Sequence, residues 1–141
     1  MPNQTPMPQV IKDFYIYEED FVPLLASATG IGSINIQADS DFVVQKLTYF
    51  AYADPTGTLQ TPTTRIIPTA TVQITDSGSG RNLMEAPVPI SNVFGTGELP
   101  FILPQPKLFL ARTTITVSVT NLDDANVYIR LSLIGYKVFR L

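Results

Sequence analysis

The residue types that usually do chemistry are sparse in this chain of 141 residues, which holds no His and no Cys. Without imidazole there is no Ser-His triad, no histidine base and no common zinc ligand set. Without thiols there is neither a disulfide framework nor a thiolate metal site. What remains is oxygen chemistry, in three acidic groups: Glu18-Glu19-Asp20, Asp39 with Asp41, and Asp123-Asp124. Two carboxylates at the right separation could share glycoside hydrolysis. Each group, however, lies in a stretch predicted to turn, where Asp serves the backbone. Asp39-Ser40-Asp41 and Asp123-Asp124-Ala125-Asn126 are oxygen-rich enough to suit calcium, yet neither matches a helix-loop-helix calcium loop. Ser77-Gly78-Ser79-Gly80-Arg81 offers amides and a guanidinium that could hold phosphate. It lacks the lysine and the following helix of a phosphate loop, and reads as a hairpin turn. The expectation is a protein that is not an enzyme, with no catalytic residue, no metal site and no cofactor.

Charge narrows the partners. The net charge is −3, and the nine Lys and Arg are scattered from Lys12 to Arg140. A phosphate backbone is held by clustered cations, so nucleic acid is not an expected partner. Phe50, Tyr52 and Tyr128 could stack on sugars or bases, but their sequence neighbours are mostly neutral, which favours packing or subunit contact. No apolar run approaches the length of a membrane helix, and Met1-Pro2-Asn3-Gln4 does not start a secretory signal, so a cytosolically made protein with no membrane partner is expected.

The elements that must position these residues are strands. Ile115, Val117 and Val119 alternate with Thr and Ser, and Val127, Ile129, Leu131 and Leu133 alternate with Tyr128, Arg130 and Ser132. With the Asn/Asp-rich Asn121 to Asn126 between them, Arg112 to Phe139 is predicted to be a long β-hairpin. Ser33 to Ala38 and Thr69 to Thr75 read as half-buried strands. Phe21 to Leu25 reads as a short edge strand limited by Pro23. Phe42 to Ala53 is the longest strand before the closing hairpin, and it carries apolar groups on both faces, which predicts cover on both sides. Asn82 to Glu85 is expected to return from the glycine turn, and Asp54 to Pro68 to be a loop. About eight short strands with Pro- and Gly-rich connections predict an all-β, two-sheet antiparallel β-sandwich. The uneven loops suit a jelly roll, with an immunoglobulin-like sandwich as the rival.

The predicted domain organisation is an extended arm over residues 1–12 and one β-sandwich domain over residues 13–141. The proline-rich start cannot bury enough surface to fold alone. Val10, Ile11, Phe14, Tyr15, Ile16 and Tyr17 are nevertheless too apolar to stay wet. Phe94, Phe101, Ile102 and Phe109 lie in a stretch whose prolines forbid a central strand. These ten residues are the candidates for partner contact, since surplus apolar surface marks protein partners. Self-association as a homodimer or homotrimer is expected.

A small, Thr- and Pro-rich β-sandwich without His or Cys, with an extended N-terminal arm, resembles the capsid cement, or decoration, proteins of tailed bacteriophages, which are built on a jelly roll. The residues that carry the resemblance are Ser33-Ile34-Asn35-Ile36-Gln37-Ala38, the strand Phe42 to Ala53, and Pro100 to Tyr136. The resemblance implies a structural virion protein on the outer capsid surface, made in the host cytoplasm. It would bind the major capsid protein and brace neighbouring subunits of an icosahedral shell. The alternative is a head-fibre or tail-associated module recognising cell-surface carbohydrate.

Overall fold

A computed structural model describes residues 10–53 and 65–140. Among these, nine strands run in chain order: β1 Val10–Leu24, β2 Thr29–Asn35, β3 Asp41–Ala53, β4 Ala70–Asp76, β5 Arg81–Asn82, β6 Val88–Pro89, β7 Phe101–Phe109, β8 Thr114–Asn121 and β9 Val127–Arg140. A single 3₁₀ turn, Ile90–Asn92, is the one helical element of the described residues, and no helix is long and apolar enough to cross a membrane. The strands form two antiparallel sheets, β1-β9-β3-β7 (sheet A) and β2-β8-β4-β5 with β6 beside β4 (sheet B). The nested pairs β1·β9, β2·β8, β3·β7 and β4·β5/β6, rolled up by β9·β3 and β8·β4, are the pairing scheme of a jelly roll. Counting β5 and β6 as one interrupted strand gives the eight expected.

The predicted hairpin at the C-terminus is not one. β8 pairs with β2 and β4, β9 pairs with β1 and β3, and the Asn/Asp connection passes from one sheet to the other. Burial decides this. In a hairpin the two apolar rows would share one face of one sheet and need cover from elsewhere. In opposite sheets they cover each other, and Ile115, Val117, Val119, Val127, Ile129, Leu131 and Leu133 are all buried. Each such side chain contributes roughly 1.5–3 kcal/mol. The connection is latched by Asn121, whose Nδ2 donates to the carbonyls of Ala125 at 2.8 Å, Leu25 at 3.3 Å and Leu24 at 3.4 Å. Its Oδ1 accepts from the Asp123 amide at 3.0 Å.

Part of the two-faced apolar pattern of β3 comes from a change of facing within the strand. A bulge between Val44 and Lys46 leaves Gln45 as the extra residue against Gly135 and Ile134. One extra residue swaps the faces. Phe42 and Val44 therefore point into the core together with Leu47, Tyr49, Ala51 and Ala53. Gly135 is required at this point, because a Cβ there would lie 1.8 Å from the Val43 carbonyl oxygen.

Phe21 to Leu24 is the end of β1 and no separate strand, with the ladder shifting register between Phe21 and Leu24 and Leu25 lying beyond it. The acidic Glu18-Glu19-Asp20 lies within this strand and in no turn. Val10, Ile11 and Lys12 open β1, so the expected arm gives up its last three residues to the sheet. β2 begins at Thr29, ahead of the strand expected from Ser33, and ends at Asn35. The proline-rich Phe101–Phe109 is a strand after all, at the edge. Its rungs to β3 jump from Lys107 opposite Val44 to Ile102 opposite Lys46, so Pro104 and Pro106 fall where no rung is made.

Candidate functional site: the outer face of sheet A

Because the strands alternate, register decides which side chains share the outer surface of sheet A. Phe14, Tyr136, Val43 and Leu108 form one row across β1, β9, β3 and β7. Ile16, Ile134, Lys46 and Ile102 form the next. Phe14 is 73% and Ile102 65% exposed, Ile16 and Leu108 are also exposed, and Val43, Ile134 and Tyr136 are half-buried. Above them Lys12, Val138 and Asp41 make a row in which the Lys12 amine stands 5.2 Å from the Tyr136 ring. The result is a continuous apolar band spanning all four strands.

The other end of the face is polar and aromatic. Glu18, Ser132 and Thr48 share a row, Asp20, Arg130 and Phe50 the next, and Tyr128 lies opposite Tyr52 beyond them. Phe50, Tyr52 and Tyr128 form a chain of ring contacts with centroids 5.6 and 5.1 Å apart. The Arg65 guanidinium lies 5.2 Å from the Phe50 ring and pairs with Glu98 at 3.3 Å. Arg130 pairs with Asp20 at 3.6 Å. Exposed pairs of this kind add little stability, so their interest is electrostatic. The Arg65 hydrogen bond holds Glu98 below the usual carboxylate range. Glu18 is raised, first by partial burial and then by its contact and charge interaction with Asp20, with Arg130 opposing. Glu19 is raised by burial and then by Asp20. Arg130 is raised by a hydrogen bond with Tyr52 and by the Asp20 charge. The neutral sequence neighbours of these rings are thus replaced in space by two guanidinium groups and three carboxylates, which strand pairing brings in from distant parts of the chain.

The ten residues expected at a contact surface divide. Val10, Ile11, Phe14, Ile16 and Ile102 are exposed. Tyr15 and Phe101 are half-buried and packed against the core. Tyr17, Phe94 and Phe109 are core residues, so the contact expected of them is corrected: alternation turns Tyr17 and Phe109 inward, and Phe94 is buried where its amide bonds back to the Ile90 carbonyl after the 3₁₀ turn. Tyr17 stacks edge-on with Tyr15 at 4.9 Å and Phe42 at 4.7 Å, and its hydroxyl accepts from the Gln37 amide. Val43, Leu108, Ile134 and Tyr136 complete the band and were not among the candidates. The signal for two of them is in β9, where the polar series Tyr128, Arg130, Ser132 gives way to Ile134, Tyr136 and Val138. Residues 1–9 of the expected arm and 54–64 of the expected loop lie outside the described residues.

The other chemical candidates are occupied by the fold. Asp76 is buried and accepts from the Gly78 amide at 2.9 Å, so a side chain of the protein already takes an amide of the glycine turn. Asp123 accepts from the Asp124 amide, and Asp41 from the Ala111 amide. Lys137 is buried at 6% exposure, donates to Gln37 Oε1 at 2.6 Å, meets Asp39 at 3.4 Å and lies 4.1 Å from the Tyr15 ring centroid. That amine fastens the β2–β3 connection to sheet A. Among the described residues no three His, Cys, Asp or Glu side chains gather as metal ligands would. Compared with known proteins, the chain matches no protein family, no curated protein and no solved structure.

Proposed function

We propose that the chain is a structural virion protein that binds the outside of an icosahedral phage capsid and clamps neighbouring subunits of the major capsid protein. The observation that carries this reading is the apolar band across sheet A. A soluble domain that has already filled its core gains nothing from such a band unless another protein covers it. Its mechanism is mass action. A ligand that binds only the assembled shell stabilises it by RT ln(1 + [L]/Kd), with no reacting group needed. Adding the purified chain to DNA-filled capsids that lack it is expected to raise the temperature of DNA release. Absence of both a bound chain and a shift would contradict the proposal.

A second reading is favoured by one observation, the Phe50–Tyr52–Tyr128 rings bordered by Arg65, Glu98, Arg130 and Asp20. Rings beside fixed charged groups suit a sugar, which makes a carbohydrate-recognising head-fibre or tail-associated module the rival. Binding on a glycan array that is lost in Tyr128→Ala would favour the rival over the clamp.

A further inference from the structure

The two edges of sheet A are treated in opposite ways. The β3/β7 edge is closed piece by piece. Pro104 and Pro106 interrupt β7, and where β7 ends, Gly95 exchanges backbone hydrogen bonds with Leu47 and Tyr49, and the Ile66 amide bonds to Ala51. The β1 edge runs 15 residues with one proline, Pro23, near its far end. Beyond its ladder with β9, no backbone group from Val10 to Phe21 has a backbone partner among the described residues. Its last part approaches β2, where Gly30 lies against Phe21 and Leu24, and Gly32 against Glu19, while Tyr15 and Tyr17 reach Gln37 through their side chains. A long edge of this kind is a template for another strand.

The side chains say which strand. If a second copy pairs antiparallel along β1 with both outer faces on the same side, even-numbered residues must oppose even-numbered ones. Three central registers are then possible. With Phe14 opposite itself, Lys12 meets Ile16 and Glu18 meets Val10. With Ile16 opposite itself, Lys12 meets Asp20 but Phe14 meets Glu18. With Tyr15 on the axis, Lys12 meets Glu18 and Phe14 meets Ile16, so charge faces opposite charge and ring faces aliphatic in the same arrangement. Each of these pairs occurs twice.

We propose that the chain forms a two-fold dimer through β1, in the register that places Tyr15 on the axis. The paired sheets become one of eight strands, and the band Leu108–Val43–Tyr136–Phe14 continues across the seam into Ile16, Ile134, Lys46 and Ile102 of the second copy. This deepens the clamp reading by giving it a doubled contact face, but the pairing is tested without shells. Sedimentation equilibrium of the full chain is expected to show a dimer. Lys12→Glu should weaken it by roughly tenfold or more, because two attractive pairs become repulsive, and Lys12→Glu/Glu18→Lys should restore it. As the chain has no Cys, Phe14→Cys mixed with Ile16→Cys should cross-link between the two variants faster than either does with itself. A monomer at every concentration, a dimer indifferent to Lys12→Glu, or no cross-linking preference would each overturn the proposal. A dimer that fails to bind shells would count against the clamp alone.

Discussion

The outer faces of the two sheets are built on the same alternation and end in opposite surfaces. Sheet B shows water a field of small polar groups: Thr29, Ser33 and Asn35 on β2, Thr114, Thr116, Ser118 and Thr120 on β8, and Thr71, Gln73 and Thr75 on β4. Many satisfy one another, as in Thr29 with Thr120 at 2.8 Å, Thr114 with Asn35 at 2.9 Å and Thr75 with Asn82 at 2.7 Å. Ile31 is its one large exposed apolar side chain on β2, β8 or β4. Sheet A shows water Phe14, Ile16, Ile102 and Leu108 at comparable positions. Folding needs only the inner faces to be apolar. The difference between the outer faces is therefore surplus to the fold, and points to association.

The comparison breaks most severely where sheet A changes its facing. Gly135→Ala drives a Cβ into the Val43 carbonyl, and should destabilise by about 3 kcal/mol in denaturant unfolding; no position on sheet B's central strands depends on glycine in this way. Next is the latch that sends β8 and β9 into different sheets. Asn121→Ala removes three donor contacts made by a buried side chain, and an expected loss of about 2 kcal/mol would appear in the unfolding midpoint. Outer-face changes sharpen the contrast by what they spare: Ile102→Ser should alter stability by no more than about 0.5 kcal/mol, as Thr116→Ser should on sheet B. The smallest effect is a pH dependence. Burial and Asp20 hold Glu19 above its ordinary value of 4.5, so ionisation costs stability fully above the folded pKa and nothing below the unfolded one. Glu19→Gln should raise the melting temperature slightly at pH 7, with the gain fading as the pH falls through 4.5.

Much of this fold can be read from alternation alone. The rows in β2, β4, β8 and β9 name their own inward residues, and the glycine turn after Asp76 is what its residues predict. Pairing is not legible in the same way. Val117 and Leu131 alternate identically whether their strands are neighbours in a hairpin or face each other across a core, and only the need to cover both rows chooses. The β3 bulge is hidden because one extra residue, Gln45, swaps the faces midway, so that Phe42 and Val44 share the core with Leu47, Tyr49 and Ala51 while Val43, Phe50 and Tyr52 share the outer face. The contact band was half visible: Phe14 and Ile16 stand out as apolar residues too numerous to bury, whereas Tyr17, Phe94 and Phe109 look the same in sequence and are core. The charged groups around Phe50 were out of reach, since Arg65, Glu98 and Arg130 meet it only after the sheet is assembled.

The central claim is that sheet A's outer face meets the shell and sheet B's does not. Ile102→Asp/Leu108→Asp lies on that face well away from β1, and Ile31→Asp/Thr116→Asp is its counterpart on sheet B. Both should fold as the unaltered chain does, and co-sedimentation with capsids lacking the protein compares them directly. The account predicts that the first loses shell binding by at least tenfold while the second binds as before. Equal binding by both, or loss only in the second, would contradict it.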